Sequence, residues 1–191
     1  MQKDHMLKVV VFTGSARQGS YTHHVGDFVT KILSEDPDLS VEQVNHDRYE
    51  LDFNNEGTGA SPKELTQLVI DADAYVIVSP EYNHGYPGSL KYLLDLNLKQ
   101  YIHKPVSLVG VSSGPWGGVR VIEQLVQVVR ELGMAVTFTD TQVTKVKTEI
   151  EAGKFTDPDK WQKRVQRMAT ELKWMAQTLK YGRENIASEY H

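Results

Sequence analysis

Five short runs rich in β-branched residues recur along the chain, separated by longer segments with apolar residues at helical spacing. Residues 8–13 (KVVVFT), 74–79 (AYVIVS) and 105–112 (PVSLVGVS) are apolar almost throughout. A strand covered on both faces reads this way, whereas a half-buried strand alternates. Residues 41–44 form a weaker second strand and residues 136–143 (VTFTDTQV) a fifth. Helices are predicted over 21–33 behind an N-cap at Ser20, from Pro62 to 72, over 88–98, over 118–132 and over 158–181. The last has Trp161, Val165, Met168, Leu172, Met175 and Leu179 along one face. Residues 47–61 read as a long polar loop.

Strands that alternate with helices point to a parallel sheet with helices on both sides. Right-handed crossovers leave few topologies, and the flavodoxin-like order 2-1-3-4-5 is the natural one for five strands. Residues 1–181 are expected to form this single α/β domain, a three-layer sandwich, with 182–191 as a polar tail. A length of 191 residues suits one domain.

Composition narrows the function. The net charge is −4 and no Lys/Arg block occurs, so a nucleic-acid partner has no electrostatic footprint. No apolar run approaches the roughly 20 residues that span a bilayer. The first residues lack a signal-peptide profile, which makes the cytoplasm the expected location. Cysteine is absent, so any redox work falls to a bound organic cofactor or a non-thiol metal site. No metal site is expected. His23 and His24 are adjacent on a helix and diverge, and His5, His46 and His103 show no ligand spacing.

The loops after strands one, three and four are specialised, and this fold brings them to one sheet edge, where ligands bind. The first is Gly14-Ser15-Ala16-Arg17-Gln18-Gly19-Ser20. It offers two hydroxyls, a guanidinium and the positive end of a helix, the ingredients of a phosphate cradle. It is neither a Walker A loop nor a G-x-G-x-x-G fingerprint. The second, residues 79–90 (SPEYNHGYPGSL), is long for a βα connection and carries two tyrosines among prolines and glycines, suited to a flat heteroaromatic ring. The third, Ser113-Gly114-Pro115-Trp116-Gly117-Gly118, lets backbone N–H groups approach an anionic ring edge.

Together GSARQGS, SPEYNHGYPGSLKYLLD and SSGPWGG resemble the NADPH-dependent FMN reductase family over roughly residues 7–145. That resemblance implies a flavodoxin-like fold and bound FMN. It implies Ser15, Arg17 and Ser20 as phosphate ligands, and Pro80, Glu81, Tyr82 and Asn83 as ring and ribityl contacts. Ser113, Gly114 and Gly117 would form a second wall. It further implies an NAD(P)H oxidoreductase that passes hydride through FMN to a quinone, azo compound, metal oxyanion or free flavin, with ping-pong kinetics. A homodimer or homotetramer is implied as well, with the helix beginning at Gly88-Ser89-Leu90-Lys91 used in assembly. No catalytic side chain is assigned, because the cofactor carries the electrons. Tyr82, Asn83 and His84 are the substrate-side candidates, His84 because histidine ordinarily titrates near neutrality. The competing reading is a flavodoxin-like electron carrier or redox-responsive module that does not itself oxidise NAD(P)H.

Overall fold

The computed structural model describes residues 6–48 and 62–190. Most of the polar loop expected over 47–61 lies outside these residues, as do His5 and His191. The strands are β1 (Leu7–Thr13), β2 (Leu39–Val44), β3 (Ala74–Pro80), β4 (Pro105–Val111), β5 (Ala135–Val136) and β6 (Thr141–Val143). They form one parallel sheet in the order β2-β1-β3-β4-β5, with β6 also paired to β4.

All seven residues of β3 and of β4 are buried. The reason is the two-residue side-chain period of a strand between two cores. Ala74, Val76 and Val78 face a cluster completed by α1 (Tyr21–Ser34) and, towards the C-terminus, α6 (Pro158–Asn185). Tyr75 and Ile77 face the opposite cluster, built with α2 (Lys63–Asp71), α3 (Gly88–Asp95) and α4 (Val119–Glu131). Each fully buried aliphatic side chain contributes about 1.5–3 kcal/mol relative to exposure.

The helices start as the sequence suggests. Ser20 caps α1 by accepting from the Thr22 N–H, and Asp157 caps α6 by accepting from the Lys160 N–H at 3.1 Å. The buried stripe of α6 is Trp161, Val165, Met168, Leu172 and Ala176, so the expected Met175 gives way to its neighbour as the 3.6-residue period drifts. The helix continues past Tyr181 to Asn185, and α3 stops at Asp95 rather than 98. Leu90, Leu93 and Leu94 of α3 are buried in the chain's own core.

The fifth strand is not continuous. Pro105 pairs with Ala135, but Val109 pairs with Thr141, so the newer strand carries two extra residues between the paired stretches. Thr137 stays inside, its hydroxyl 2.8 Å from Ser107 Oγ and its N–H donating to Val106 O at 3.0 Å. The bulge turns Phe138 outward, leaving it 78% exposed. Beyond β6 come α5 (Val146–Glu149) and a small antiparallel hairpin of β7 (Ile150–Glu151) and β8 (Lys154–Phe155). Glu149, which reads as solvated charge in the sequence, accepts from Trp161 Nε1 at 2.8 Å and Lys160 Nζ at 2.7 Å.

The edge of the sheet where β3 and β4 begin is closed by paired charges. Buried Asp73 accepts from the Lys8 N–H at 3.1 Å, Lys180 Nζ at 2.9 Å and Arg183 at 3.1 Å. Lys104, 6% exposed, donates to Val69 O and Ile70 O, both at 2.7 Å, at the C-terminal end of α2. A cation there complements the helix dipole. Burial, with a smaller contribution from Arg183, nevertheless lowers the Lys104 pKa to about 8.

Candidate functional site

At the opposite edge, the chain leaves β1 towards β2 and returns to β3 on the other side, which makes the β1/β3 boundary the switch point of the sheet. The first loop is pinned there by Gly14 N–H donating to Val78 O at 2.8 Å. Ser15 is fully buried beneath it, its Oγ 3.1 Å from the Tyr82 hydroxyl and accepting from the Arg17 N–H at 3.3 Å. The Arg17 guanidinium lies 4.0 Å from the centre of the Tyr82 ring. Two contacts of different chemistry thus join the first loop to the second.

The second loop closes into a four-residue turn, with Tyr82 N–H donating to Gly85 O at 2.9 Å and Gly85 N–H donating back to Tyr82 O at 3.0 Å. Asn83 (φ 51°) and His84 (φ 69°) both occupy the left-handed region, which defines a type I′ turn. Asparagine tolerates that conformation well, and histidine less so. Gln124 of α4 supports the tip by donating to His84 O at 2.8 Å.

Glu81 has a role the sequence does not announce. Helix α4 begins behind Gly118, which has no side chain to cap it. The Glu81 carboxylate accepts from the Arg120 N–H at 3.2 Å and lies 3.4 Å from the Arg120 guanidinium. An acid from another loop therefore caps α4, where the helix dipole also favours negative charge.

In the third loop, Ser112 Oγ accepts from the Gly114 N–H at 3.0 Å. The Lys145 N–H donates to Gly114 O at 2.9 Å and the Val146 N–H to Ser112 O at 3.0 Å, which carries Val146 to the same edge. Gly117 is buried against β6, where a Cβ would stand 2.8 Å from Gln142 Cβ.

These loops enclose a cleft of about 230 Å³. Of the residues expected from the sequence, it brings together Arg17, Ser20, Pro80, Glu81, Tyr82 and Ser113. Ser15, Asn83, His84, Gly114 and Gly117 do not line it; Ser15 lies under its floor and Asn83 and His84 form the exposed tip of the neighbouring turn. Among the lining residues that sequence reasoning missed are Gly19, Tyr21, Thr22, Ser112 and Val146. Ser112, the polar end of the fourth apolar run, carried a usable signal; Val146 carried none, because its place depends on the turn after β6.

The cleft is suited to an anion. Arg17, Ser20 and the start of α1 all line it. Gly19, with φ 67°, lines it too, and nothing stands within 4 Å of where its Cβ would be, so a ligand can approach the backbone closely.

A parallel sheet of this order with a cleft at its switch point is a flavodoxin-like architecture. Residues 7–147 match the family model described as NADPH-dependent FMN reductase, and the chain belongs to that family. Among characterised relatives, an NADPH azoreductase of Bacillus sp. (strain OY1-2) is 32% identical over 124 residues, 62% of this chain and 66% of the relative. A quinone reductase of Escherichia coli (strain K12) is 34% identical over 121 residues, 60% of this chain and 64% of the relative. The match thus spans just under two thirds of each relative's length. In three dimensions the chain resembles FerB, a flavoenzyme NAD(P)H:(acceptor) oxidoreductase from Paracoccus denitrificans, with a TM-score of 0.71, 20% identity, and coverage of 90% of this chain and 98% of that one.

Proposed function

We propose that this chain is an FMN-dependent NAD(P)H oxidoreductase that delivers electrons to a small acceptor, a quinone or an azo compound in the first instance. The observation that carries the reading is the convergence, in one cleft, of Arg17, Ser20 and the start of α1 with Pro80, Tyr82 and Ser113 of the other two loops. Arg17, Ser20, the Gly19 backbone and the start of α1 would hold the phosphate. Pro80, Tyr82, Ser112 and Ser113 would border the ring, and Ser15 would act through Tyr82, holding its hydroxyl. The cleft is smaller than the usual 300–1,000 Å³ of nucleotide and drug-sized sites, so a guest of this size extends beyond it.

When bound, FMN supplies the hydride-accepting and hydride-donating chemistry. The chain's own residues bind, orient and shield. Tyr82, Asn83 and His84 form the substrate-side rim of this reading, and donor and acceptor use the site in turn. Parallel lines in double-reciprocal plots are the kinetic sign of that alternation. The reading extends to a cytoplasmic homodimer or homotetramer. Because Leu90, Leu93 and Leu94 are used in the chain's own core, other residues must form the self-association surface, and light scattering reads the assembly directly.

The test is FMN affinity. Arg17→Ala should weaken binding by about 1.5–3 kcal/mol, the value of a charge-assisted contact, while FMN release on denaturation of the wild-type protein identifies the cofactor. Unchanged affinity in that variant overturns the phosphate assignment. Rapid mixing with NADPH separates the enzyme from an electron carrier, since only the enzyme bleaches its flavin without a partner protein.

A further inference from the structure

A second cavity, of about 420 Å³, lies between the Phe138–Asp140 bulge and α6. Its walls combine three kinds of group. Arg164 and Arg167, one helical turn apart, supply two guanidinium forks. Arg167 has no ion-pair partner among the described residues, while Arg164 lies 5.1 Å from the Trp161 ring centre and acts through its charge on the Glu149 carboxylate. Phe138 and Met168 supply an apolar surface, with the Phe138 ring 78% exposed. Thr139 and Gln142 complete the lining as polar residues.

The two exposed guanidiniums and the exposed Phe138 ring border the same cavity, so one guest can meet an anion site and an apolar surface together. The guanidinium forks match a carboxylate or sulfonate, and the phenylalanine matches a ring face. Asp140 lines the cavity too and offsets part of the arginines' charge, which disfavours a multiply charged guest. Burial, with Glu123 adding to it, holds the Asp140 carboxyl above the usual carboxylate range.

We infer that this cavity is a binding site for a small planar aromatic monoanion, a carboxylate or sulfonate, separate from the cleft at the switch point. It owes its existence to the two extra residues of the interrupted fifth strand, since that bulge both turns Phe138 outward and opens the space beneath it.

Calorimetric titration of the full chain with 2-naphthoate, with and without saturating FMN, tests the inference without reading activity. Saturable binding is expected in both conditions, weakened about tenfold or more by Arg167→Ala and further by the Arg164→Ala/Arg167→Ala pair. Phe138→Ala, a change at an exposed position, should weaken it several-fold and checks the site independently of the arginines. Absence of saturable binding overturns the inference. So does an affinity that is equal in the folded double variant, or a guest that FMN displaces, because either places the guest elsewhere. The result stands or falls independently of FMN binding by Arg17 and Ser20.

Discussion

The two edges of the sheet treat polar groups in opposite ways. Where β3 and β4 begin, charges are buried and saturated: Asp73 has three donors, and Lys104 is seated on two carbonyls. Where the same strands end, polar groups are tied to one another between loops, and several of them line an open cleft. Arg17 rests on a ring instead of a carboxylate, Gly19 faces empty space, and Asn83 and His84 hold left-handed backbone at an exposed tip. One edge holds the fold together. The other stores unmet binding capacity, which a stability-only design would remove.

Breaking the saturated edge should have the largest effect. Asp73→Ala leaves Lys180 and Arg183 without their buried acid and should destabilise the fold by about 3–5 kcal/mol in denaturant unfolding, with FMN affinity of the remaining folded protein unchanged. A change in affinity as large as the change in stability would erase the division between the edges.

Lys104 gives the next effect, and its sign is opposite to that of a stabilising pair. The folded pKa of about 8 lies below the ordinary 10.5, so between these values the unfolded chain binds more protons. Stability should therefore rise with pH across this window, by up to about 3 kcal/mol, and the burial penalty is fully present below about pH 8. Unfolding curves of the wild type and Lys104→Met at pH 7.5, 9 and 10 would show the rise only in the wild type. A parallel pH response in both would assign it to other groups.

At the open edge the effects on stability should be small and those on binding specific. Tyr82→Phe keeps the ring under Arg17 but removes the hydroxyl partner of Ser15, and should cost about 1 kcal/mol in FMN affinity with stability nearly unchanged. The reverse pattern would make the Ser15–Tyr82 contact a structural tie, like those at the other edge.

Most of the sheet was legible because β1, β3 and β4 meet a core on both faces and so carry continuous apolar runs, which few other elements produce. The fifth strand was not, because VTFTDTQV alternates as a regular strand would. The change of register against β4, from Pro105–Ala135 to Val109–Thr141, reveals that two residues are squeezed out. In the cleft, Arg17, Ser20 and Tyr82 were legible from loop composition and strand order. The burial of Ser15 and the duty of Glu81 were not, since each depends on a partner 67 or 39 residues away in sequence. The β7–β8 hairpin, two residues a strand, is below what periodicity can register.

Glu81 also gives the molecule a built-in gauge. The amide proton of Arg120 is held by a side chain that borders the cleft, so its exchange rate and chemical shift follow the position of that carboxylate. A single backbone signal, needing no dye and no chromophore, would report whether the cleft wall moves when a guest arrives.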